Sequence, residues 1–385
     1  MVEWKKLEEI AQLQKTRNKK HVTEKAYSIT QAGLVPTKSF FKEKTNITSS
    51  DTSGYYIVKK DWFVYSPSRI DVGSINYLKE EGPVIVSPID VVFSIDGAKC
   101  SPSYLLNYFF TYEGKKKLLR NREGVEGMGR RNLPFDAIKN ITIPIPSLSD
   151  QERIVGILDT FTSAIDNLKA QIAQRRKQYE FYRDQLLDLE GKPGVEMKTL
   201  KDICCKANNI KWKNEKIDAV YQYVDLSSVD TRLNQITDTI EINKENAPSR
   251  AQQIIKAGDI LLGTTRPTLK RYCQVPKHYD NQICSTGYCV FRANVEIVLS
   301  RWIYHNIGNE IFWDYCEAHQ QGAGYPCLSN FDAFAYTIPV PSLSEQQRIV
   351  SILDTFEASI QNLEAQLKER EKQYEYYRNK LLTFE

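Results

Sequence analysis

The sequence predicts an α+β fold in which two pseudo-symmetric globular domains are joined by two long antiparallel coiled-coil helices. Three observations predict it: an internal repeat, a heptad pattern in both copies of that repeat, and a β-rich body in each half. The segment IPIPSLSDQERIVGILDTF begins at Ile143, and IPVPSLSEQQRIVSILDTF begins at Ile338, 195 positions later. A repeat of this length describes the architecture of the whole chain.

The repeat extends beyond these segments. Residues 142–190 match residues 337–385 at about two-thirds of positions, and VEWKKLEEI from Val2 parallels VEMKTLKDI from Val195. The bodies between these matches align poorly, although each ends in a glycine loop, EGMGRRNL and QGAGYPCL. We therefore predict four segments: a first domain over residues 1–148, a first helix over 149–190, a second domain over 191–343 and a second helix over 344–385.

Both long helices have explicit start signals. Prolines keep the approach to each helix extended, and Ser149-x-x-Glu152 then has the pattern of a capping box, matched by Ser344-x-x-Gln347. Apolar residues continue for 36 positions from Ile154 to Leu189, which corresponds to a helix of about 54 Å. An object of this length can act as a spacer.

The apolar positions of both helices alternate in steps of four and three, which is the seam of a coiled coil. A bundle core or a homodimer zipper would give the same stripe, but each helix already has a partner of equal length in its own chain. Only EGKPG, residues 190–194, links the first helix to the second half, so an antiparallel pair needs no crossing segment. The predicted interface comprises Ile154, Leu158, Phe161, Ile165, Leu168, Tyr179 and Tyr182 with Ile349, Leu353, Phe356, Ile360, Leu363, Tyr374 and Tyr377.

Each body combines strands and a helix. β-rich runs begin at Gly54 and Gly82 in the first half and at Ala219, Ala257 and Asn281 in the second. A helical pattern follows over residues 102–122 and again over residues 299–318. The two domains thus share an order of elements while their surface residues differ.

Composition places the chain among ordinary globular proteins, with 41% hydrophobic and 26% charged residues in 385. There is neither a membrane-length apolar run nor a signal peptide, so we expect a cytoplasmic protein whose eight cysteines are reduced. Cys273 and His278 lack a second ligand pair, and no metal site is predicted.

Two domains with different surfaces on one spacer suit two targets on one rigid ligand, and duplex DNA is such a ligand. The formal charge of +4 is too small to prove this partner, so local groups must carry the prediction. A cationic cluster is often only a solvated face. Arginine and asparagine beside a glycine loop can, however, pair with base edges. The candidates are Arg69, Lys116, Arg130, Arg131 and Asn132 in the first domain and Arg266, Lys270, Arg271 and Tyr325 in the second.

No catalytic motif is found in the sequence. Phosphate-binding, dinucleotide-binding, zinc-protease and serine-hydrolase patterns are all missing, as is the Pro-Pro-Tyr motif of amino-group DNA methyltransferases. The four histidines are scattered along the chain. We therefore predict a non-catalytic chain, with any chemistry supplied by partners.

The paired start segments, the unlike bodies and the proline-led helices with their QYEFYRDQLL and QYEYYRNKLL tails resemble the specificity subunit of type I restriction–modification enzymes. GDILLGTTRP from Gly258 is similar to a segment common in these proteins. The resemblance covers essentially the whole chain. It implies two target-recognition domains, each reading one half of a split DNA site, with the helices setting the gap between the halves.

The resemblance also implies partners and cofactors outside this chain. Two methyltransferase subunits, which use S-adenosylmethionine to methylate adenine, would dock against the helices, and restriction subunits that translocate DNA with ATP and Mg²⁺ would join them. Base-contacting residues vary within the family, so none transfers to this sequence. The alternatives are a coiled-coil scaffold whose domains bind proteins and a stand-alone DNA-binding regulator.

Overall fold

The structure, a computed structural model, describes residues 2–31, 33–37, 51–120 and 133–384. The chain divides into two units. Unit 1 comprises Met1–Asn167 and Leu367–Glu385, and unit 2 comprises Leu168–Gln366. The two long helices each contribute residues to both units. The four predicted segment boundaries stay a prediction.

Among its described residues, unit 1 combines short strands with three short helices and the start of a long one. Its strands are β1 (Glu3–Lys6), β2 (Ala11–Gln14), β3 (Tyr27–Thr30), β4 (Gly33–Pro36), β5 (Tyr56–Val58), β6 (Phe63–Tyr65), β7 (Ile75–Tyr77), β8 (Val84–Val86), β9 (Val91–Ile95) and β10 (Thr142–Ile145). Its helices are α1 (Pro102–Phe109), α2 (Tyr112–Arg120), α3 (Phe135–Ile138) and the first half of α4 (Leu148–Leu187).

Unit 2 repeats this composition with more strands. They are β11 (Glu196–Thr199), β12 (Cys204–Cys205), β13 (Tyr221–Val224), β14 (Val229–Asp230), β15 (Gln235–Ile236), β16 (Ile240–Ile242), β17 (Ala251–Ile254), β18 (Ile260–Gly263), β19 (Tyr272–Gln274), β20 (Ile283–Ser285), β21 (Tyr288–Ala293) and β22 (Thr337–Val340). Its helices are α5 (Leu200–Ile203), α6 (Ser300–Ile307), α7 (Glu310–His319), α8 (Asn330–Ala335) and the first part of α9 (Leu343–Leu381).

Both units contain the same antiparallel sheet. Among the described residues of unit 1 its strand order is β2–β9–β6–β7, and among those of unit 2 the order is β12–β21–β18–β19. The second sheets have diverged: β5 and β8 form a two-stranded sheet in the described part of unit 1, whereas unit 2 has the mixed sheet β16–β13–β20–β17. The predicted α+β class and the pseudo-symmetry are confirmed.

The repeated start segments are strands that pair with the approach to the long helices. β1 lies antiparallel to β10 with Glu3 opposite Ile145, and β11 lies antiparallel to β22 with Glu196 opposite Val340. The start of each half is therefore fixed beside the strand that leads into its long helix. The body of each half is the part of the chain between these two strands.

The long helices pair in opposite directions within each unit. In unit 2, the Arg176 guanidinium lies 2.5 Å from Glu364, and the Tyr182 ring stacks on Phe356. Residues further along α4 thus contact residues that come earlier in α9. In unit 1, Phe161 of α4 stacks on Tyr377 of α9, which fits the same antiparallel alignment. The predicted antiparallel pairing of the helices is confirmed.

The helix caps lie two residues earlier than predicted. The Ser147 hydroxyl accepts the Asp150 N–H at 3.2 Å, and the Ser342 hydroxyl accepts the Glu345 N–H at 3.3 Å. Ser147 and Ser342 directly follow the prolines that keep the chain extended, so the first possible cap is used. The predicted capping boxes at Ser149 and Ser344 are wrong.

The single helix predicted in each body is two helices. In unit 1, Thr111 directly precedes α2, and its hydroxyl accepts the Gly114 N–H at 3.0 Å. In unit 2, the Asn309 side chain accepts the Phe312 N–H at 2.8 Å. Threonine and asparagine act here as N-caps inside an apolar pattern, which starts a new helix. The apolar periodicity alone did not reveal these breaks.

A buried glutamine fixes the start of each long helix to its own unit. Gln151 donates to the carbonyls of Lys99 and Pro146 and accepts the Ser101 N–H. Gln346 makes the equivalent bonds to Ile297, Pro341 and Leu299 in unit 2. Both side chains are fully buried. The same three backbone groups are thus satisfied in both units.

The aromatic residue beside each glutamine anchor also repeats. The Tyr104 hydroxyl donates to the Pro144 carbonyl, and the Trp302 indole N–H donates to the Pro339 carbonyl, each at 2.8 Å. These prolines occupy β10 and β22, where the missing N–H leaves only a carbonyl to satisfy.

No helix in the described part of the chain is long and apolar enough to cross a membrane.

Candidate nucleic-acid interface

The predicted residue Arg266 lies on a loop that hydrogen bonds hold from both sides. The loop follows β18, and Thr264 bonds through its N–H and hydroxyl to the Gly287 carbonyl, both at 2.9 Å. The Thr264 carbonyl in turn accepts the Leu328 N–H. Arg266 has a left-handed backbone, φ 51°, and its N–H donates to the Pro326 carbonyl at 2.7 Å. The loop is therefore a fixed platform for the Arg266 side chain.

The predicted residue Tyr325 lies at the tip of a tight hairpin beside this loop. Gln321 and Cys327 exchange two backbone hydrogen bonds, and Gly322 between them has φ 100°. A side chain is strained at that angle, so glycine suits the turn. Tyr325 is 73% exposed, and the Arg266 guanidinium lies 4.4 Å from its ring centroid. The structure thus brings two predicted residues together.

The other two candidates of unit 2 are engaged differently. Lys270 is exposed but forms an ion pair of 2.5 Å with Glu310, the first residue of α7. Arg271 is half-buried, and its Nε has no hydrogen-bond partner among the described residues. The Lys270 ammonium group is thus already paired, and Arg271 is less exposed than Arg266.

In unit 1, the corresponding loop follows β6 and carries Arg69, which is exposed. Two residues before it, the Pro67 carbonyl accepts the Leu133 N–H at 3.1 Å. Leu133 directly follows Arg130, Arg131 and Asn132, which lie outside the described residues. Lys116 lies elsewhere, on α2, where it pairs with Glu113 and sits over the Tyr112 ring.

The predicted helix-interface residues serve two surfaces. Ile154 and Leu158 are buried in the core of unit 1, and Tyr179, Ile349, Leu353 and Ile360 are buried in the core of unit 2. Ile165 is buried, and Phe161, Leu168, Phe356, Leu363 and Tyr374 are half-buried. The heptad stripe therefore packs against the domains as well as along the paired helix. Tyr182 and Tyr377 are partly exposed beside their stacking partners.

The duplicated frame has a counterpart among known protein families. The family model of the type I restriction modification DNA specificity domain matches residues 1–175 and again residues 193–371. This chain belongs to that specificity family. The two matches, one in each half, agree with the internal repeat.

Individual relatives agree with this assignment. The EcoR124I/EcoR124II specificity subunit of Escherichia coli is 30% identical over 319 residues, covering 77% of this chain and 74% of that protein. The S subunit of a type I restriction–modification system from M. genitalium shares the fold, with a TM-score of 0.56, 13% identity and coverage of 100% and 97%. A chain from a structure of a type I restriction–modification system gives a TM-score of 0.59, 15% identity and coverage of 99% and 96%.

Unit 2 of this specificity-family chain also contains a buried polar network that sequence reasoning missed. His305 of α6 bonds through Nε2 to Asp354 at 2.9 Å and through Nδ1 to the Tyr179 hydroxyl at 3.0 Å. Arg301 pairs with Asp354 at 2.6 Å and with Glu357. The network therefore ties α6 to both long helices within this unit.

His305, Asp354 and Glu357 could in principle hold a metal, because their ligand atoms lie within 4.8 Å of one another. Arg301 already pairs with both carboxylates and neutralises one of their two negative charges. Burial lowers the pKa of His305 and outweighs its hydrogen bond to Asp354. Burial also acts to raise the pKa of Asp354, but bonds from His305 and Arg301 leave it below its usual value.

The lowered pKa of His305 predicts a pH-dependent stability. The unfolded chain takes up a proton near pH 6.5 while the folded chain resists it, so stability is present above pH 6.5 and falls below it. We expect a loss of at most about 2 kcal/mol between pH 7 and pH 5 from this group. Urea unfolding of unit 2, followed at several pH values, measures the effect.

Unit 1 shows which residue can replace His305. There Asn107 accepts a hydrogen bond from Tyr374, which is the repeat of Tyr179, so asparagine is the matched substitution. His305→Asn should reduce the slope of stability against pH between 5 and 7. The remaining histidines stay unchanged and serve as the internal reference. An identical slope in the variant and the parent chain would exclude His305 as the source.

Sequence reasoning also missed two equivalent exposed aromatic patches on the long helices. In unit 1 the patch consists of Phe161, Tyr376 and Tyr377, and in unit 2 it consists of Phe356, Phe181 and Tyr182. Phe181 is 58% exposed and Tyr376 is 59% exposed. A cleft of about 660 Å³ adjoins the unit 1 patch. The internal repeat could have revealed the two patches, because each aromatic residue of one patch lies 195 positions from its equivalent in the other.

Proposed function

We propose that this chain is the DNA specificity subunit of a type I restriction–modification enzyme and that each domain reads one half of a bipartite site. One observation carries the proposal. The loop after the equivalent sheet strand carries Arg69 in unit 1 and Arg266 in unit 2, inside a duplicated frame. A common frame with different loops suits two different half-sequences on one duplex. Arginine is the side chain that most often reads guanine directly.

The test is to co-express the chain with a type I methyltransferase subunit and to map methylated adenines across the host genome. We expect one split motif of two defined half-sequences around an unread gap. An uninterrupted motif, or no methylation that depends on this chain, would contradict the proposal. Binding of the complex to its site should also weaken steeply with salt, because the cations displace counterions from phosphates.

The chain itself is proposed to have no catalytic role. Methyl transfer from S-adenosylmethionine and ATP-driven translocation with Mg²⁺ would belong to methyltransferase and restriction subunits, in keeping with the missing catalytic motifs. A cytoplasmic location stays a prediction. A purified chain that methylated or cut DNA without partners would refute this assignment of roles.

The two aromatic patches are proposed to bind the two methyltransferase subunits. Exposed tyrosine and phenylalanine clusters are typical of protein interfaces. Each patch presents the same three positions of the repeat, so each offers the same contacts to a partner. Two equal patches therefore suit two copies of one partner, whereas two unlike partners would need two unlike surfaces.

Substitutions in the patches test this stoichiometry. Phe181→Ser should reduce the co-purified complex from two methyltransferase copies to one, and Phe181→Ser with Tyr376→Ser should leave none. The measurement is the mass of the complex by light scattering. Phe181→Tyr is the matched control, because tyrosine occupies the equivalent position in unit 1. A double variant that still carries two copies would place the docking surface elsewhere.

A further inference from the structure

We propose that Arg266, held against the Tyr325 ring, reads a guanine in the half-site recognised by the second domain. This inference rests on the proposed function, and it adds the residue and the base. Tyr325 acts as a positioning residue, since its ring orients the guanidinium. Within the described part of the chain, neither Lys270 nor Arg271 of the same segment lies over an aromatic ring in this way.

The backbone of Arg266 is organised before any ligand binds. The hydrogen bond from its N–H to Pro326 and the following Pro267 fix the direction in which its side chain leaves the loop. Pro267 is itself buried. The left-handed conformation is uncommon for a residue with a side chain and is maintained by these contacts. Because the backbone of Arg266 is already ordered, less conformational entropy is lost when its side chain binds a ligand.

The guanidinium is also free to make that contact. Among the described residues, Arg266 forms no ion pair, whereas Lys270 pairs with Glu310 and Arg292 pairs with Asp259. Its position over the Tyr325 ring is a cation–π contact, which engages a face of the planar group. The N–H groups lie in the plane and remain able to donate. A planar fork of donors matches the O6 and N7 atoms of guanine.

The position of Tyr325 fits a positioning role. Its ring is mostly exposed at the tip of the glycine hairpin, so burial in the core does not explain it. Its described ring contact is the one with Arg266. The hairpin and the arginine loop are joined by the bonds to Pro326 and Leu328, which keep the two side chains in register.

The alternative role for Arg266 is a phosphate contact, and the two roles have different signatures. A base contact changes the preference at one position of the motif. A phosphate contact weakens binding to all sequences about equally and lowers the salt slope by about one.

The test uses the full chain in complex with its methyltransferase partner. Arg266→Ala should lower the discrimination at one guanine of the second half-site by roughly 5- to 100-fold. The first half-sequence and the gap should be unchanged. Arg266→Lys should rescue little, because an ammonium group is a point charge without the fork. Genome-wide adenine methylation and binding to oligonucleotides with single base changes give the readouts.

Two tyrosine variants separate positioning from folding. Tyr325→Phe keeps the ring and should retain the guanine preference, while Tyr325→Ala should reduce it in the same position as Arg266→Ala. Lys277→Ala removes one exposed positive charge from the same unit and should leave the motif unchanged. The side chains of Arg266, Tyr325 and Lys277 are all exposed, and equal melting temperatures verify that the variants fold.

The outcomes distinguish this inference from the proposed function. If the parent chain directs methylation to a split motif but Arg266→Ala leaves every position intact, the inference is wrong and the proposed function stands. A uniform loss across all sequences with a lower salt slope would equally overturn it in favour of a phosphate contact. If the parent chain directs no split motif, the proposed function fails first.

Discussion

Inserting seven residues into each long helix should lengthen the gap of the methylated motif and leave both half-sequences unchanged. The insertions belong between Asn167 and Leu168 in α4 and between Gln366 and Leu367 in α9. Seven helical residues add about 10 Å, which corresponds to roughly three base pairs of duplex. One heptad also preserves the alternation of four and three that aligns the apolar seam. Mapping of methylated adenines measures the gap directly.

An insertion in α4 alone is the control. It lengthens α4 between its two paired sections while α9 keeps its length, so the Phe161–Tyr377 and Tyr182–Phe356 contacts cannot both keep their register. We therefore expect loss of the defined motif rather than a longer gap. If the paired insertion changes a half-sequence while the gap stays constant, the helices do not set the spacing.

Replacing Gln346 by methionine should lower the free energy of unfolding of unit 2 by about 3 kcal/mol. Methionine has a similar size but leaves the Leu299 N–H and the carbonyls of Ile297 and Pro341 without their partner. A buried polar group that loses its hydrogen bond costs about 1–3 kcal/mol. Urea unfolding monitored by circular dichroism measures the difference.

Gln347→Met is the matched control, because the neighbouring side chain is exposed and we expect an effect within about 0.5 kcal/mol. Gln151→Met should destabilise unit 1 by an amount similar to that found for Gln346 in unit 2. A Gln346→Met chain as stable as the Gln347→Met chain would show that the anchor contributes little.

Features that repeat along the chain could be predicted from the sequence. Two matched heptad stripes of equal length predict an intramolecular pair, and the short link at residues 190–194 predicts its antiparallel direction. The cap positions were less accessible, because Ser147-x-x-Asp150 and Ser149-x-x-Glu152 overlap in one segment. Only the geometry at the preceding proline decides between them. The helix breaks at Thr111 and Asn309 were hidden by an apolar pattern that continues through them.

Contacts between distant segments could not be predicted. Arg266 and Tyr325 are 59 positions apart, and their proximity depends on the pairing of two loops that carry no periodic signal. The ion pair that engages Lys270 with Glu310 is equally invisible, since both residues belong to separate elements. The two glutamines Gln151 and Gln346 could be predicted in part. Their identity at equal positions of the repeat is visible in the sequence, but their burial is not.

The antiparallel pairing of β1 with β10 and of β11 with β22 has an evolutionary consequence. Cross-strand neighbours such as Glu3 and Ile145 have Cα atoms about 4.5–5.5 Å apart. The first and last residues of the body between these strands therefore lie side by side. Under the proposed function, recombination that exchanges one body needs to preserve only this pair of strands, so one half-sequence can change in one step while the long helices remain the same.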